Sequence, residues 1–99
     1  MATVDGGVLI GRILKEQNIK YLFSVNGGHI FPILANIREN DVKLIHMRHE
    51  QSTAYAADAY ARVTGTPGVC AVTAGCGLTN AVTGLCCAGL TNSSDGTPA

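Results

Sequence analysis

Three short segments of this sequence combine residue types that can transfer protons or bind polar ligands. Asn26-Gly27-Gly28-His29 carries an imidazole, which can accept or donate a proton near neutral pH. Arg48-His49-Glu50 carries a carboxylate, a second group able to exchange a proton with a ligand. Gly75-Cys76-Gly77, followed by Asn80, opens a predicted helix, and the first backbone N–H groups of a helix bind polar ligands. These segments contain the candidate functional residues.

Each of the three segments follows a predicted strand. Hydrophobic spacing and turn residues predict alternating elements: a helix capped by Asp5 and ended by residues 15–18, a strand at 21–25, a helix at 30–39, a strand at 42–46, a helix at 50–64, a strand at 69–73 and a helix at 77–90. This order predicts an α/β fold with a parallel sheet and crossover helices. Because the carboxyl ends of parallel strands lie at one edge, the three segments should converge on a single rim.

Two of these elements carry specific predictions about burial. The strand at 69–73 is a nearly continuous apolar run, which is typical of a strand covered on both faces. In the last helix, the spacing predicts that one face is formed by Leu78, Ala81, Val82, Leu85, Cys86 and Gly89.

Composition and charge argue against several classes of function. Lys+Arg and Asp+Glu both number 7, so the formal net charge is zero and no single-sign field would attract nucleic acid or a membrane surface. Hydrophobic residues make up 46% of the chain, which argues against disorder. We find no run that resembles a membrane span or a secretory signal, and we expect a cytoplasmic protein. The four cysteines are expected to be reduced, buried and without a metal: Cys70, Cys76, Cys86 and Cys87.

Each candidate residue also has a purely structural explanation. Glu50 could be a first-turn acid stabilised by the helix dipole, and His29 could cap the helix that follows it. Gly75 and Gly77 could serve only a tight turn and close packing of strand on helix. A dinucleotide site or a small mononucleotide-binding module fits poorly, because Asn80 stands where G-x-G-x-x-G requires its third glycine.

The run from Gly6 to about Asn92 resembles the start of the pyrimidine-binding (Pyr) domain of thiamine-diphosphate enzymes in the acetolactate-synthase-like family, and five blocks within it carry the resemblance. The blocks are LFSVNGGHI at 22–30, RHEQSTA at 48–54, ADAYARVTG at 57–65, GV at 68–69 and TAGCGLTNAV at 73–82. The first and last are most similar to the benzaldehyde-lyase and 2-hydroxyacyl-CoA-lyase branch. The resemblance implies that residues 1–92 are the N-terminal part of a Pyr domain, an incomplete doubly wound domain with three strands and about four helices.

The resemblance also implies roles for the candidate residues. Glu50 would share a proton with N1′ of the aminopyrimidine ring of thiamine diphosphate and so activate the cofactor. His29 would face the reacting carbonyl of a small 2-keto or 2-hydroxyacyl substrate. Proline is common in the family where Cys76 stands, which leaves the role of this thiol open. The residues expected beside the cofactor or against a partner subunit are Gly27, Gly28, Gly75, Cys76, Gly77 and Asn80.

The chain, with 99 residues, is much shorter than an enzyme of this family. Members need a diphosphate-binding (PP) domain whose Gly-Asp-Gly…Asn motif holds Mg²⁺ and the diphosphate, and no Gly-Asp-Gly occurs here. The resemblance therefore implies a homo-oligomeric parent enzyme, in which the PP domain of a second subunit completes the site. We expect the N-terminal part of a lyase or carboligase that cleaves or forms a C–C bond next to a carbonyl.

The alternative is a truncated, non-catalytic chain that at most docks on full-length subunits. On either interpretation we expect these 99 residues alone to be inactive. Residues 93–99 are polar and unpatterned, which predicts a disordered tail.

Overall fold

The structure is a computed structural model and describes residues 5–91. Its elements in chain order are α1 (Gly6–Glu16), β1 (Tyr21–Ser24), α2 (Phe31–Asn36), β2 (Lys43–His46), α3 (Glu50–Thr64), β3 (Val69–Ala71) and α4 (Cys76–Thr91), with short 3-10 turns at Gly28–Ile30 and Arg38–Asn40. None of the helices in this part of the chain is long and apolar enough to cross a membrane. The tail predicted at 93–99 lies outside the described residues.

The three strands form one parallel sheet in the order β2-β1-β3. In the central strand β1, Leu22 pairs with Leu44 on one side and with Val69 on the other. The predicted α/β fold with a parallel sheet and four helices is therefore confirmed, although β1 and β3 end one and two residues earlier than predicted. Since all three strands run in the same direction, the loops that follow them begin at the same edge.

The buried core fixes β1 between its neighbours. Leu22, Ile37 and Val42 form the central hydrophobic cluster, and burying one such aliphatic side chain contributes about 1.5–3 kcal/mol. Ser24 is also fully buried, and its hydroxyl donates a hydrogen bond to the carbonyl oxygen of Ala71 at 2.8 Å. This bond ties the carboxyl end of β1 to that of β3, which is where the candidate residues begin.

The helix ends show how local side-chain hydrogen bonds set element length. As predicted, Asp5 caps α1, because its carboxylate accepts a hydrogen bond from a first-turn backbone N–H at 2.7 Å. The helix predicted at 30–39 is shorter and ends at Asn36. The amide groups of Asn36 and Asn40 donate to the carbonyl oxygens of Pro32 and Asn36 at 2.7 and 3.0 Å. Such bonds offer the backbone an alternative to a regular helix.

Helices α3 and α4 pack together through small residues. A Cβ added at Gly84 of α4 would lie less than 3.0 Å from the Cβ of Ala54 in α3. Ala81, on the same side of α4, is only 1% exposed. The alanine-rich surface of α3 therefore permits the close approach that its sequence suggests.

The large residues on the apolar face predicted for α4 are not buried among the described residues. Leu78, Val82 and Leu85 are 54%, 46% and 48% exposed, whereas Ala81 and Gly84 are buried. Periodicity places all of these residues on one broad side of the helix. At Gly84 the short distance to Ala54 of α3 leaves no room for a larger side chain.

Burial of β3 and of the thiols also differs from prediction. All three residues of β3 are half-buried, because this strand pairs with only one neighbour among the described residues. The cysteines are free, as predicted, but Cys76 and Cys86 are exposed, so the prediction that all four are buried is wrong. Cys70 and Cys87 are half-buried, and desolvation raises the pKa of Cys70.

Candidate functional site

The candidate residues lie in the segments that follow the carboxyl ends of the three strands. His29 follows β1, Glu50 follows β2, and Thr73 follows β3, with Asn80 in the second turn of α4. We call these four residues the carboxyl rim. Two hydrogen-bonded pairs connect them across long stretches of sequence, Glu50 with Asn80 and His29 with Thr73.

Glu50 is the first residue of α3 and is half-buried. The preceding residue, His49, is the N-cap: its Nδ1 accepts a hydrogen bond from the backbone N–H of Gln51 at 3.0 Å. This cap was not predicted, because histidine is not among the preferred N-cap residues. With His49 fixed in this way, the Glu50 carboxylate lies at the positive end of the helix dipole.

Asn80 holds one oxygen of the Glu50 carboxylate. Its Nδ2 donates to Oε1 at 3.2 Å, which joins the start of α3 to α4. A carboxylate accepts hydrogen bonds and has no hydrogen to donate, so the amide nitrogen is the group that must face it. Among residues 5–91 no hydrogen bond to Oε2 is found, and this second oxygen is available to a ligand.

His29 does not cap a helix. It lies in the 3-10 turn before α2, and the N-caps of the turn and of α2 are Gly27 and Ile30, neither of which makes a side-chain capping bond. The imidazole is exposed, and its Nδ1 lies 3.4 Å from Oγ1 of Thr73. The capping explanation of His29 is therefore wrong, and among residues 5–91 the hydrogen-bond contact found for the ring is through Nδ1.

Thr73 is the rim residue to which sequence reasoning assigned no role. A Cβ added at Gly27 would overlap its side chain, and one added at Gly77 would lie 3.0 Å from its Cγ2. The two glycines therefore let the loops after β1 and β3 close around the threonine. Its position just beyond the third strand was the available signal, since polar residues there face the same edge as His29 and Glu50.

The other candidate positions have plainer surroundings. Gly75 adopts φ +78°, a conformation that glycine accepts without strain, so the turn before α4 needs it. Gly28 has open space around its Cα, and Cys76 is an exposed free thiol. Among the described residues, no three His, Cys, Asp or Glu side chains cluster closely enough to hold a metal ion.

Asp58, which lies two turns along α3 from Glu50, is a structural residue. Its side chain is 6% exposed, and Arg62 one turn later approaches its carboxylate with Nη2 at 3.1 Å. The hydrogen bond to Asp58 raises the pKa of the Arg62 guanidinium. This pair stabilises the helix and leaves Glu50 as the acid of α3 that is placed at the rim.

The rim offers a defined set of chemical groups. A carboxylate with one oxygen held can exchange a proton through the other oxygen, and an exposed imidazole at the same edge of the sheet can donate or accept a proton. Groups of this kind can exchange protons with a basic nitrogen or a carbonyl oxygen of a ligand. The geometry therefore suits proton transfer between the chain and bound small molecules.

Comparisons with known proteins find one matching family and several similar proteins. Residues 4–94 match the family described as thiamine pyrophosphate enzyme, N-terminal TPP binding domain. The chain is 49% identical over 80 residues to 2-hydroxyacyl-CoA lyase 2 of Xenopus laevis, an alignment that covers 81% of this chain and 12% of that protein. For the Bos taurus protein of the same name the identity is 45% over 84 residues, covering 85% and 13%.

A bacterial synthase is similar over the same region. The chain is 44% identical over 86 residues to an acetolactate synthase large subunit of Mycobacterium tuberculosis, covering 87% of this chain and 16% of that protein. The chain thus spans about an eighth to a sixth of the length of these three relatives.

Proposed function

Because this chain belongs to the acetolactate-synthase-like thiamine pyrophosphate enzymes, matching their N-terminal TPP-binding domain, we propose that it supplies the aminopyrimidine-binding part of a lyase or carboligase. Such an enzyme cleaves or forms a C–C bond next to a carbonyl. The observation that carries the proposal is the Glu50 carboxylate at the rim, with one oxygen bonded to Asn80 and the other available. When bound, thiamine diphosphate supplies the reactive carbon and the electron sink for this chemistry.

Glu50 is the residue proposed to activate the cofactor. Its Oε2 would meet the ring nitrogen N1′ and exchange a proton with it, while the half-buried position limits competition from water. Two features support this role: the carboxylate lies at the first turn of α3, and its other oxygen is held by Asn80. General acid–base groups of this kind contribute about 10²- to 10⁴-fold to rate.

His29 is proposed to act on the substrate. Its exposed imidazole is placed at the same edge as Glu50, and the contact with Thr73 through Nδ1 leaves Nε2 to donate or accept a proton at a carbonyl oxygen. The substrate class proposed is a small 2-keto or 2-hydroxyacyl compound. The names of the relatives, lyase and synthase, support both directions of the reaction.

The remaining parts of the active site are assigned outside this chain. We place the Mg²⁺ and diphosphate ligands in the PP domain of a second subunit, which makes the working enzyme at least a homodimer. A cytoplasmic location is part of the same proposal. Sedimentation of the holoenzyme tests the assembly, since a monomer with full activity would contradict the shared site.

Substitution of Glu50 by glutamine tests the central role. In the holoenzyme that carries this chain, Glu50→Gln keeps the size of the side chain but cannot exchange a proton as a carboxylate does. C2 is the reactive carbon of thiamine diphosphate, and the exchange of its proton for deuterium can be followed by ¹H NMR. We expect this exchange to slow by about 10²- to 10⁴-fold in the variant. The melting temperature should change little, because Glu50 is only half-buried.

Glu39→Gln is the matched control. Glu39 is an exposed acid in the turn before β2, at the opposite edge of the sheet from the rim. Its substitution should leave C2 exchange and turnover unchanged. Exchange at the wild-type rate in Glu50→Gln would reject the proposed function.

A further inference from the structure

We infer that Asn80 is a positioning residue for Glu50, an inference that rests on the proposed function and adds to it. The amide acts through the carboxylate rather than by touching the cofactor. It holds Oε1, so that the proton exchanged with the cofactor resides on Oε2.

The hydrogen bond is set by the packing of two helices. Glu50 and Ala54 are four residues apart in α3, and Asn80 and Gly84 are four residues apart in α4, so each pair lies on one face of its helix. Ala54 and Gly84 are in close contact, with no space for a further methyl group between them. One turn towards the N-terminus of each helix, the same alignment brings Asn80 Nδ2 to 3.2 Å from Glu50 Oε1.

The chemistry of an amide gives this contact a direction. Nδ2 can donate but cannot accept, so it binds an oxygen that carries no proton. The bond therefore disfavours the acid form in which the proton lies on Oε1. It also restricts rotation of the carboxylate about its last bond, which orients Oε2 for a ring nitrogen.

The loss of this bond should affect proton transfer more than cofactor binding. A carboxylate without Asn80 keeps its charge and its place on α3, but it can rotate and bind protons on either oxygen. A misplacement of about 1 Å at a reacting group costs up to about 100-fold in rate. We therefore expect a slower C2 exchange with a nearly unchanged dissociation constant for thiamine diphosphate.

Three variants of Asn80, made in the holoenzyme, separate the donor from the shape of the side chain. Asn80→Ala removes the donor, and Asn80→Asp keeps the shape but puts an acceptor against Glu50. Both should slow exchange of the cofactor C2 proton by about 10- to 100-fold. Asn80→Gln restores a donor on a longer side chain and should recover part of the rate. Thr83→Ala is the matched control, because Thr83 is exposed on α4 and makes no hydrogen bond to a rim residue among the described residues. In this variant the cofactor C2 proton should exchange at the wild-type rate.

Each outcome of this experiment decides a different question. One result is that the C2 proton exchanges at the wild-type rate in Asn80→Asp and Asn80→Ala but slowly in Glu50→Gln. That result rejects the positioning role of Asn80 and leaves the proposed function intact. Wild-type exchange in Glu50→Gln rejects both. If titration with thiamine diphosphate shows that affinity falls in parallel with exchange, Asn80 contacts the cofactor directly and the positioning role is rejected. A fall in melting temperature of Asn80→Gln together with no recovery of exchange identifies Asn80 as a packing residue and also rejects it.

Discussion

Replacing Gly84 by alanine should force α3 and α4 apart. The added Cβ would lie less than 3.0 Å from the Cβ of Ala54 and 3.3 Å from the carbonyl oxygen of Gln51. Carbon atoms pack best at about 3.5–4.0 Å, so the two helices must separate by at least about 0.5 Å. Neither obstacle is the flexible end of a long side chain, and the strain cannot be relieved by a rotamer change.

The size of the effect follows from two opposing contributions to the free energy of unfolding. Alanine in place of glycine inside a helix stabilises by about 0.5–1 kcal/mol, whereas overpacking costs about 1–3 kcal/mol. Gly89 lies in the same helix and has no heavy atom within 4 Å of an added Cβ, so Gly89→Ala should show the stabilisation alone. Gly84→Ala should therefore be less stable than Gly89→Ala by about 1–3 kcal/mol.

Urea unfolding of the chain, followed by far-ultraviolet circular dichroism, measures this difference. Ala54→Gly removes the methyl group that obstructs the new Cβ, so Gly84→Ala should cost less in that background. A double-mutant cycle should give a coupling of about 0.5–3 kcal/mol. Equal stability of Gly84→Ala and Gly89→Ala, or no coupling with Ala54→Gly, would refute the close contact on which the Glu50–Asn80 alignment depends.

Two further predictions concern His29 and Cys70. His29→Ala should slow turnover by about 10²- to 10⁴-fold. Cofactor affinity and melting temperature should stay unchanged, because the exposed imidazole caps no helix. Steady-state kinetics and titration with the cofactor measure these effects, and loss of folding would indicate a structural role instead. Burial raises the pKa of Cys70 in the folded chain, so its stabilising contribution is complete below the pKa of the unfolded thiol, about 8.5, and is lost as pH rises through the folded value. Between about pH 7.5 and about pH 9.5, the urea midpoint of the wild type should fall more steeply with pH than the urea midpoint of Cys70→Ala. Equal slopes of the two midpoints against pH would contradict the raised pKa of Cys70.

The order of the elements and the location of the rim could be predicted from local features. Alternating apolar runs and turn residues indicated three strands and four helices, because each pattern depends on neighbouring residues alone. The Asp5 cap followed from a short side chain and one nearby N–H group. Parallel strands then required the loops containing His29 and Glu50 to share an edge. The shorter α2 was missed because two asparagine side chains bond to carbonyl groups that periodicity does not consider.

Partners across the fold could not be predicted in the same way. The bond from Asn80 to Glu50 and the contact of Thr73 with His29 join residues 30 and 44 positions apart, so they exist only after the helices and loops have packed. The same holds for the exposed part of α4, where Leu78 is 54% exposed.

The amino-acid sequence by itself determined which segments form helices and strands and which edge of the sheet carries the candidate residues, since these depend on spacing and on the direction of parallel strands. Only the tertiary structure decided which residue holds an oxygen of Glu50, which side of α4 is buried and which thiols are exposed. The physical reason is steric: the close approach of α3 and α4 depends on small residues at their contact, Ala54 and Gly84, which meet only when the two helices pack.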